Sequence, residues 1–117
     1  MKKKLLTALL SLTLVFALFL TGCVNQGMAD KINEKAQSEE GYSYAQLIND
    51  YKDPTIDLTA TVLGVTSGVV IYVNGCKTAD EVEAKYENGE TLNAVYVTIA
   101  LNNVVSAEFT EYSPENE

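Results

Sequence analysis

Val95-Tyr96-Val97-Thr98-Ile99-Ala100-Leu101-Asn102-Asn103-Val104-Val105-Ser106-Ala107-Glu108-Phe109 is where this chain commits itself to a sheet. Two runs rich in β-branched residues flank a pair of asparagines, and apolar and polar side chains alternate in the first run as in a strand with one covered and one open face. The alternation also selects a register, because a slip of one residue exchanges the two faces. A two-residue turn at Asn102-Asn103 would set Val97 against Glu108 and Ile99 against Ser106, mixing apolar with polar on both faces. A three-residue loop, Leu101-Asn102-Asn103, instead sets Val95, Val97 and Ile99 against Phe109, Ala107 and Val105. Tyr96 and Thr98 then meet Glu108 and Ser106. The sequence therefore predicts a bulged hairpin with Asn103 left-handed.

Moving toward the N-terminus, Thr78-Ala79-Asp80-Glu81 has capping-box spacing and predicts a helix to about Tyr86, ended by Asn88-Gly89. Its apolar stripe is Ala79, Val82 and Tyr86, with Glu81 and Lys85 as an i, i+4 pair. Val69-Val70-Ile71-Tyr72-Val73 is apolar on both faces and reads as a central strand closed by Asn74-Gly75. Ile56 to Leu63 alternates, with Ile56, Leu58, Ala60 and Val62 on one face and Asp57, Thr59 and Thr61 on the other, as a half-buried strand does. Gly64 to Gly68 reads as a flexible turn. Ser43-Tyr44-Ala45-Gln46 is a second capping box, followed by the apolar face Tyr44, Leu47, Ile48 and Tyr51 and a stop at Lys52-Asp53-Pro54. Before it, Met28, Ile32 and Ala36 form a stripe too narrow to bury much, so residues 23–40 read as a polar tether with a marginal helix. Residues 113–117 read as a frayed acidic tail.

At the start of the chain, Met1-Lys2-Lys3-Lys4 and the apolar run Leu5 to Leu20 have signal-peptide form. The run is shorter than the roughly 20 residues that a spanning helix needs. It closes on Leu20-Thr21-Gly22-Cys23, which resembles a bacterial lipobox: two small residues precede a thiol held at the membrane surface for acylation. Residues 1–22 are thus expected to be removed between Gly22 and Cys23, with Cys23 carrying the lipid. At about 0.8 kcal/mol per buried methylene, two or three acyl chains anchor a protein durably. The expected location is the cell envelope, on the extracytoplasmic face of a bacterial membrane.

Three of the eight lysines would leave with the signal, so that sixteen acidic residues face five lysines, a net of −11 without arginine or histidine. Nucleic acid is excluded as a partner, since phosphate binding needs clustered cations. Anionic headgroups are excluded as a docking surface for the same reason. With Cys23 acylated, Cys76 has no disulfide partner. It reads as a small buried residue, because no cationic cluster in the sequence lowers its pKa.

The order helix, helix, strand, strand, helix, strand, strand, with Gly41-Tyr42-Ser43-Tyr44 and Tyr51-Lys52-Asp53-Pro54-Thr55, resembles the small β-lactamase-inhibitory-protein-like and outer-membrane small-protein-A-like modules. Lys52 stands where those modules carry glycine, and tryptophan is absent. The resemblance covers residues 41–112, taken as a small α+β domain. It implies a helix-loop-helix and a further helix packed on one face of a four-stranded, mainly antiparallel sheet, the other face being open to partners. A parallel βαβ crossover through the Ala79 helix is the alternative.

The expected function is a non-enzymatic interaction module that grips an extracytoplasmic protein, in the manner of an inhibitor. Its contact face would be Tyr96 and Thr98 with the Gly64 to Gly68 loop. No cofactor is expected. Without histidine there is no imidazole base and no histidine-containing metal site or serine triad of the usual kind. Carboxylate chemistry on Asp80, Glu81, Glu83 and Glu87 would lack a cleft. A small acidic ligand- or cation-binding role around Asp50, Asp53 and Asp57 is the other alternative, without EF-hand spacing.

Overall fold

The computed structural model describes residues 24–113. The expected signal peptide, its expected cleavage point at Gly22, the expected acylation site Cys23 and residues 114–117 of the tail lie outside the described residues. Asn25 caps helix α1 (Gln26–Ala36) by accepting the Met28 N–H on its side chain. Ser43 caps α2 (Tyr44–Tyr51), and both arms of the expected capping box with Gln46 are present. Strands β1 (Ile56–Val62) and β2 (Val65–Val73) follow, then α3 (Ala79–Glu87), capped by Thr78, then β3 (Leu92–Ala100) and β4 (Asn103–Tyr112).

The fold is α+β, with all neighbouring strands antiparallel in the order β1-β2-β3-β4. The parallel crossover is thereby excluded: β2 returns as β3 beside itself, through α3. Residue parity assigns the faces. Val70, Tyr72, Val95, Val97, Ile99, Val104 and Ala107 form one core cluster with Met28, Ala29 and Ile32 of α1 and Leu47 of α2. Ile71, Val73, Leu92 and Ala94 point the other way and, with Cys76, take Val82 of α3 against them. Helices α1 and α2 thus share one face, while α3 takes part of the opposite one.

Residues 24–40 are not a tether here. Met28, Ala29 and Ile32 are buried, because Ala29 beside the Met28/Ile32 row widens the stripe enough to seat a helix. Ile32 is one of six large side chains with essentially no exposure among the described residues. Asn33 then clamps β4: its Nδ2 donates to the Ala107 carbonyl and its Oδ1 accepts the Ala107 N–H, both at 2.7 Å.

The closing hairpin corrects the expected loop. Val95, Tyr96, Val97 and Thr98 pair with Phe109, Glu108, Ala107 and Ser106 as the alternation requires, but the register then shifts, and Ile99 pairs with Val104 and Ala100 with Asn103. The turn is the two residues Leu101 and Asn102, both at positive φ (51° and 69°), and Asn103 is not left-handed. Such a turn matches the strand twist, and the extra residue Val105 is absorbed as a bulge. Tertiary bonds select it. The Asn102 N–H donates to the Thr66 carbonyl at 2.9 Å, its Oδ1 accepts the Thr66 N–H at 2.8 Å, and its carbonyl accepts the Tyr44 N–H at 2.8 Å.

Candidate functional site

The half of the sheet that α3 leaves bare is the candidate site. Cross-strand partners share a face, so Leu58, Ala60 and Val62 of β1 lie beside Val69, Ser67 and Val65 of β2. Tyr96 and Thr98 of β3 lie beyond them, opposite Ile71 and Val69 on one side and Glu108 and Ser106 on the other. The alternation expected in β1 is present, but its apolar side faces away from α1 and α2. Leu58 is 62% exposed and Val62 67%.

The sequence-expected residues divide into two groups. Tyr96, 41% exposed, and Thr98 are both on the open face. Gly64 and Gly68 do not belong to one flexible loop. Gly64 is half of the two-residue turn Leu63-Gly64, both at positive φ, and β2 begins at Val65. Gly68 lies within β2 at φ +143°, where an added Cβ would stand 2.5 Å from the Leu58 carbonyl oxygen. That close approach of two backbones requires a residue without a side chain.

Leu58, Val62, Leu63 and Val65 are functional candidates that the sequence reading missed. Alternation marked β1 as two-faced, but nothing in a strand states which face another element will cover. Leu63 at the turn is 98% exposed, and Leu101 of the neighbouring turn is 71% exposed. The two turns are tied together, since Asn102 Nδ2 donates to the Gly64 carbonyl at 3.3 Å and the Leu101 N–H to Ser67 Oγ at 3.0 Å. Exposed apolar side chains therefore gather at one end of the sheet. At the other end Val24 is buried, its N–H donating to Asn74 Oδ1 at 3.2 Å.

The acidic residues form no common site. Asp50 accepts from the Tyr42 hydroxyl at 2.5 Å and from Lys35 Nζ at 3.1 Å. The Tyr42 bond, ahead of Lys35, holds its carboxyl below the usual range against the opposing effect of burial. Tyr42 itself is pushed well above the ordinary tyrosine range, by burial first and then by Asp50. Asp57 instead accepts the Thr59 N–H and hydroxyl. Among the described residues no group of three histidine, cysteine or carboxylate side chains is placed to hold a metal ion. Asp80, Glu81, Glu83 and Glu87 are all exposed on α3.

An open cleft of about 480 Å³ lies where the chain between α1 and α2 meets Lys35, Gln46, Asn49 and Asp50. Two of its charged groups, Lys35 and Asp50, are engaged with each other across the α1–α2 junction. Cys76 is buried and free, with its thiol pKa raised by burial. Among the described residues no helix is long and apolar enough to cross a membrane. The chain matches no known protein family, no curated protein and no solved structure.

Proposed function

We propose that this chain is a lipid-anchored, non-enzymatic interaction module of the bacterial cell envelope that holds an extracytoplasmic protein against its open sheet face. The single observation that carries the reading is the apolar surface of Leu58, Val62 and Tyr96 on the part of the sheet face that α3 leaves bare. Scattered exposed apolar residues need no explanation, but several on one bare sheet face are what a contact surface would present. Tyrosine suits such a surface, being large, amphipathic and low in conformational entropy.

The anchor supports the same reading. Acylation of Cys23 would join the lipid to the fold one residue before buried Val24, so the bilayer would lie near Asn74 and the apolar end would point outward. A fluorophore at Leu63 should then escape a lipid-borne quencher that reaches one at Asn74. Incorporation of an acyl label that is lost in Cys23→Ala tests the anchor itself; labelling that persists in that variant rejects it.

Binding is tested by cross-linked capture from envelope extract with the parent chain and with Tyr96→Lys. A partner should be recovered by the parent and reduced about tenfold by the substitution, as expected when a charge enters an apolar contact. Equal recovery by both, or none above a lipidated control, rejects the face. The inhibitor-like form of the proposal rests on the resemblance to β-lactamase-inhibitory modules. Unchanged hydrolysis by several β-lactamases at micromolar protein rejects that form alone.

A further inference from the structure

We infer that strand β1 pairs with β1 of a second copy, joining two sheets into one continuous eight-stranded sheet about a two-fold axis at Ala60. The inference concerns the sheet edge and stands whether or not the open face holds another protein.

The two edges of the sheet differ. The β4 edge is covered over its first half: Ala107 gives both its backbone groups to Asn33, and the Val104 N–H donates to the Tyr42 carbonyl at 2.7 Å. The β1 edge has no such cover. Val62 and Val65 flank a two-residue turn and so exchange both ladder bonds, as do Ala60 with Ser67 and Leu58 with Val69. The N–H and C=O groups of Thr59 and Thr61 are therefore directed outward. Consistent with this, the Thr59 N–H donates not to β2 but to its neighbour Asp57, at 2.9 Å. An unpaired edge of this kind is a template for another strand, and natural edges are usually blunted by proline, lysine or a covering element. Here the guards are one aspartate, Asp57, and the Tyr44 side chain that meets Asp57 and Thr59.

Charge selects a second copy as the occupant. The chain carries a net −8, yet from Pro54 to Cys76 its one charged residue is Asp57. Two like-charged molecules meet with least repulsion along this nearly neutral hairpin. The strand is also its own complement. With Ala60 on the axis, Leu58 opposes Val62 of the second copy, Thr59 opposes Thr61, and small Ala60 opposes itself. The two Asp57 residues then lie roughly 20 Å apart along the strands, beyond the Debye length of about 8 Å. An axis at Thr59 would bring them closer and set Leu58 against Ala60. Pairing in this register doubles the open face and sets exposed Leu58 and Val62 of one copy directly against Val62 and Leu58 of the other. With the backbone edge this reaches only the low end of the 1,200–2,000 Å² class of specific interfaces, so association at about micromolar or weaker concentrations is expected.

The test uses residues 24–117, which contain every side chain of both core clusters. Sedimentation equilibrium between about 1 and 500 μM should give a reversible monomer–dimer transition. Thr61→Pro removes an outward N–H without touching the β1–β2 ladder and should weaken the dimer about tenfold or more. Under mild oxidation Ala60→Cys should cross-link with itself, since directly opposed non-hydrogen-bonded residues stand about 4.5 Å apart. Val105→Cys, exposed on β4, should not. A monomer throughout the range overturns the inference, including one that captures a strand of another protein. So does a dimer unaffected by Thr61→Pro, or equal cross-linking at residues 60 and 105.

Discussion

Lys52 ends α2 at φ 68° and ψ −165°, a backbone conformation that is essentially glycine's own. It is held there because the Lys52 carbonyl accepts the Tyr72 hydroxyl at 2.8 Å and its N–H caps Ile48 at 2.8 Å, so the chain must turn sharply into β1. The resembling modules carry glycine at this place. Lys52→Gly is expected to relieve the strain by more than it adds in unfolded-state entropy, raising the unfolding free energy by about 1 kcal/mol. Urea denaturation checks this; a fall in midpoint rejects it. The reverse case is Gly68, where the added methyl of Gly68→Ala meets the Leu58 carbonyl and should cost about 3 kcal/mol. Leu101, also at positive φ, is the corresponding strained residue of the second turn, and tertiary bonds to Asn102 offset its cost.

Among the elements, the capped helices were the most legible. Ser43 and Gln46 announce α2 because a helix end leaves amides that nearby side chains must satisfy, a requirement local in sequence. Helix α1 was legible only as marginal, since its cap is a lone asparagine and its buried row depends on Ala29, a residue that fits either face. Its place in the core is testable. Ile32→Ala should cost about 3 kcal/mol of unfolding free energy, the range for a truncated buried isoleucine, whereas the same change in a solvated tether would cost almost nothing. The hairpin pairing from Val95 to Thr98 followed from alternation. The turn did not, because Asn102 is fixed by Thr66 and Tyr44, which are distant in sequence. Of the candidate site, Tyr96 and Thr98 were legible as an outward row, while Leu58 and Val62 were hidden by the assumption that an apolar row faces helices.

For the whole molecule, the tyrosines make the α1–α2 face sensitive to alkali. Burial raises the pKa of Tyr42, Tyr44, Tyr51 and Tyr72 above the ordinary value of 10.0. A raised folded-state pKa contributes stability that is complete below the unfolded value and is lost as pH climbs through the folded one. The four should therefore resist ionisation above pH about 10 until the fold gives way, and absorbance at 295 nm should show a late cooperative rise coincident with loss of secondary structure. Asp50 has the opposite sign. Its depressed pKa, due first to Tyr42, adds stability present above pH about 4 and lost on acidification. Tyr42→Phe should flatten that acid limb; an unchanged limb would assign it to other carboxylates. By itself the sequence determined the element order, the helix caps, the strand alternation and the acidic balance, because each follows from contacts a few residues apart or from composition. Only the tertiary structure decided that α1 is core, that one sheet edge is capped by α1 while β1 is open, and that the apolar row of β1 faces outward. The physical reason is that alternation defines two faces of a strand, whereas what covers either face comes from elements tens of residues away.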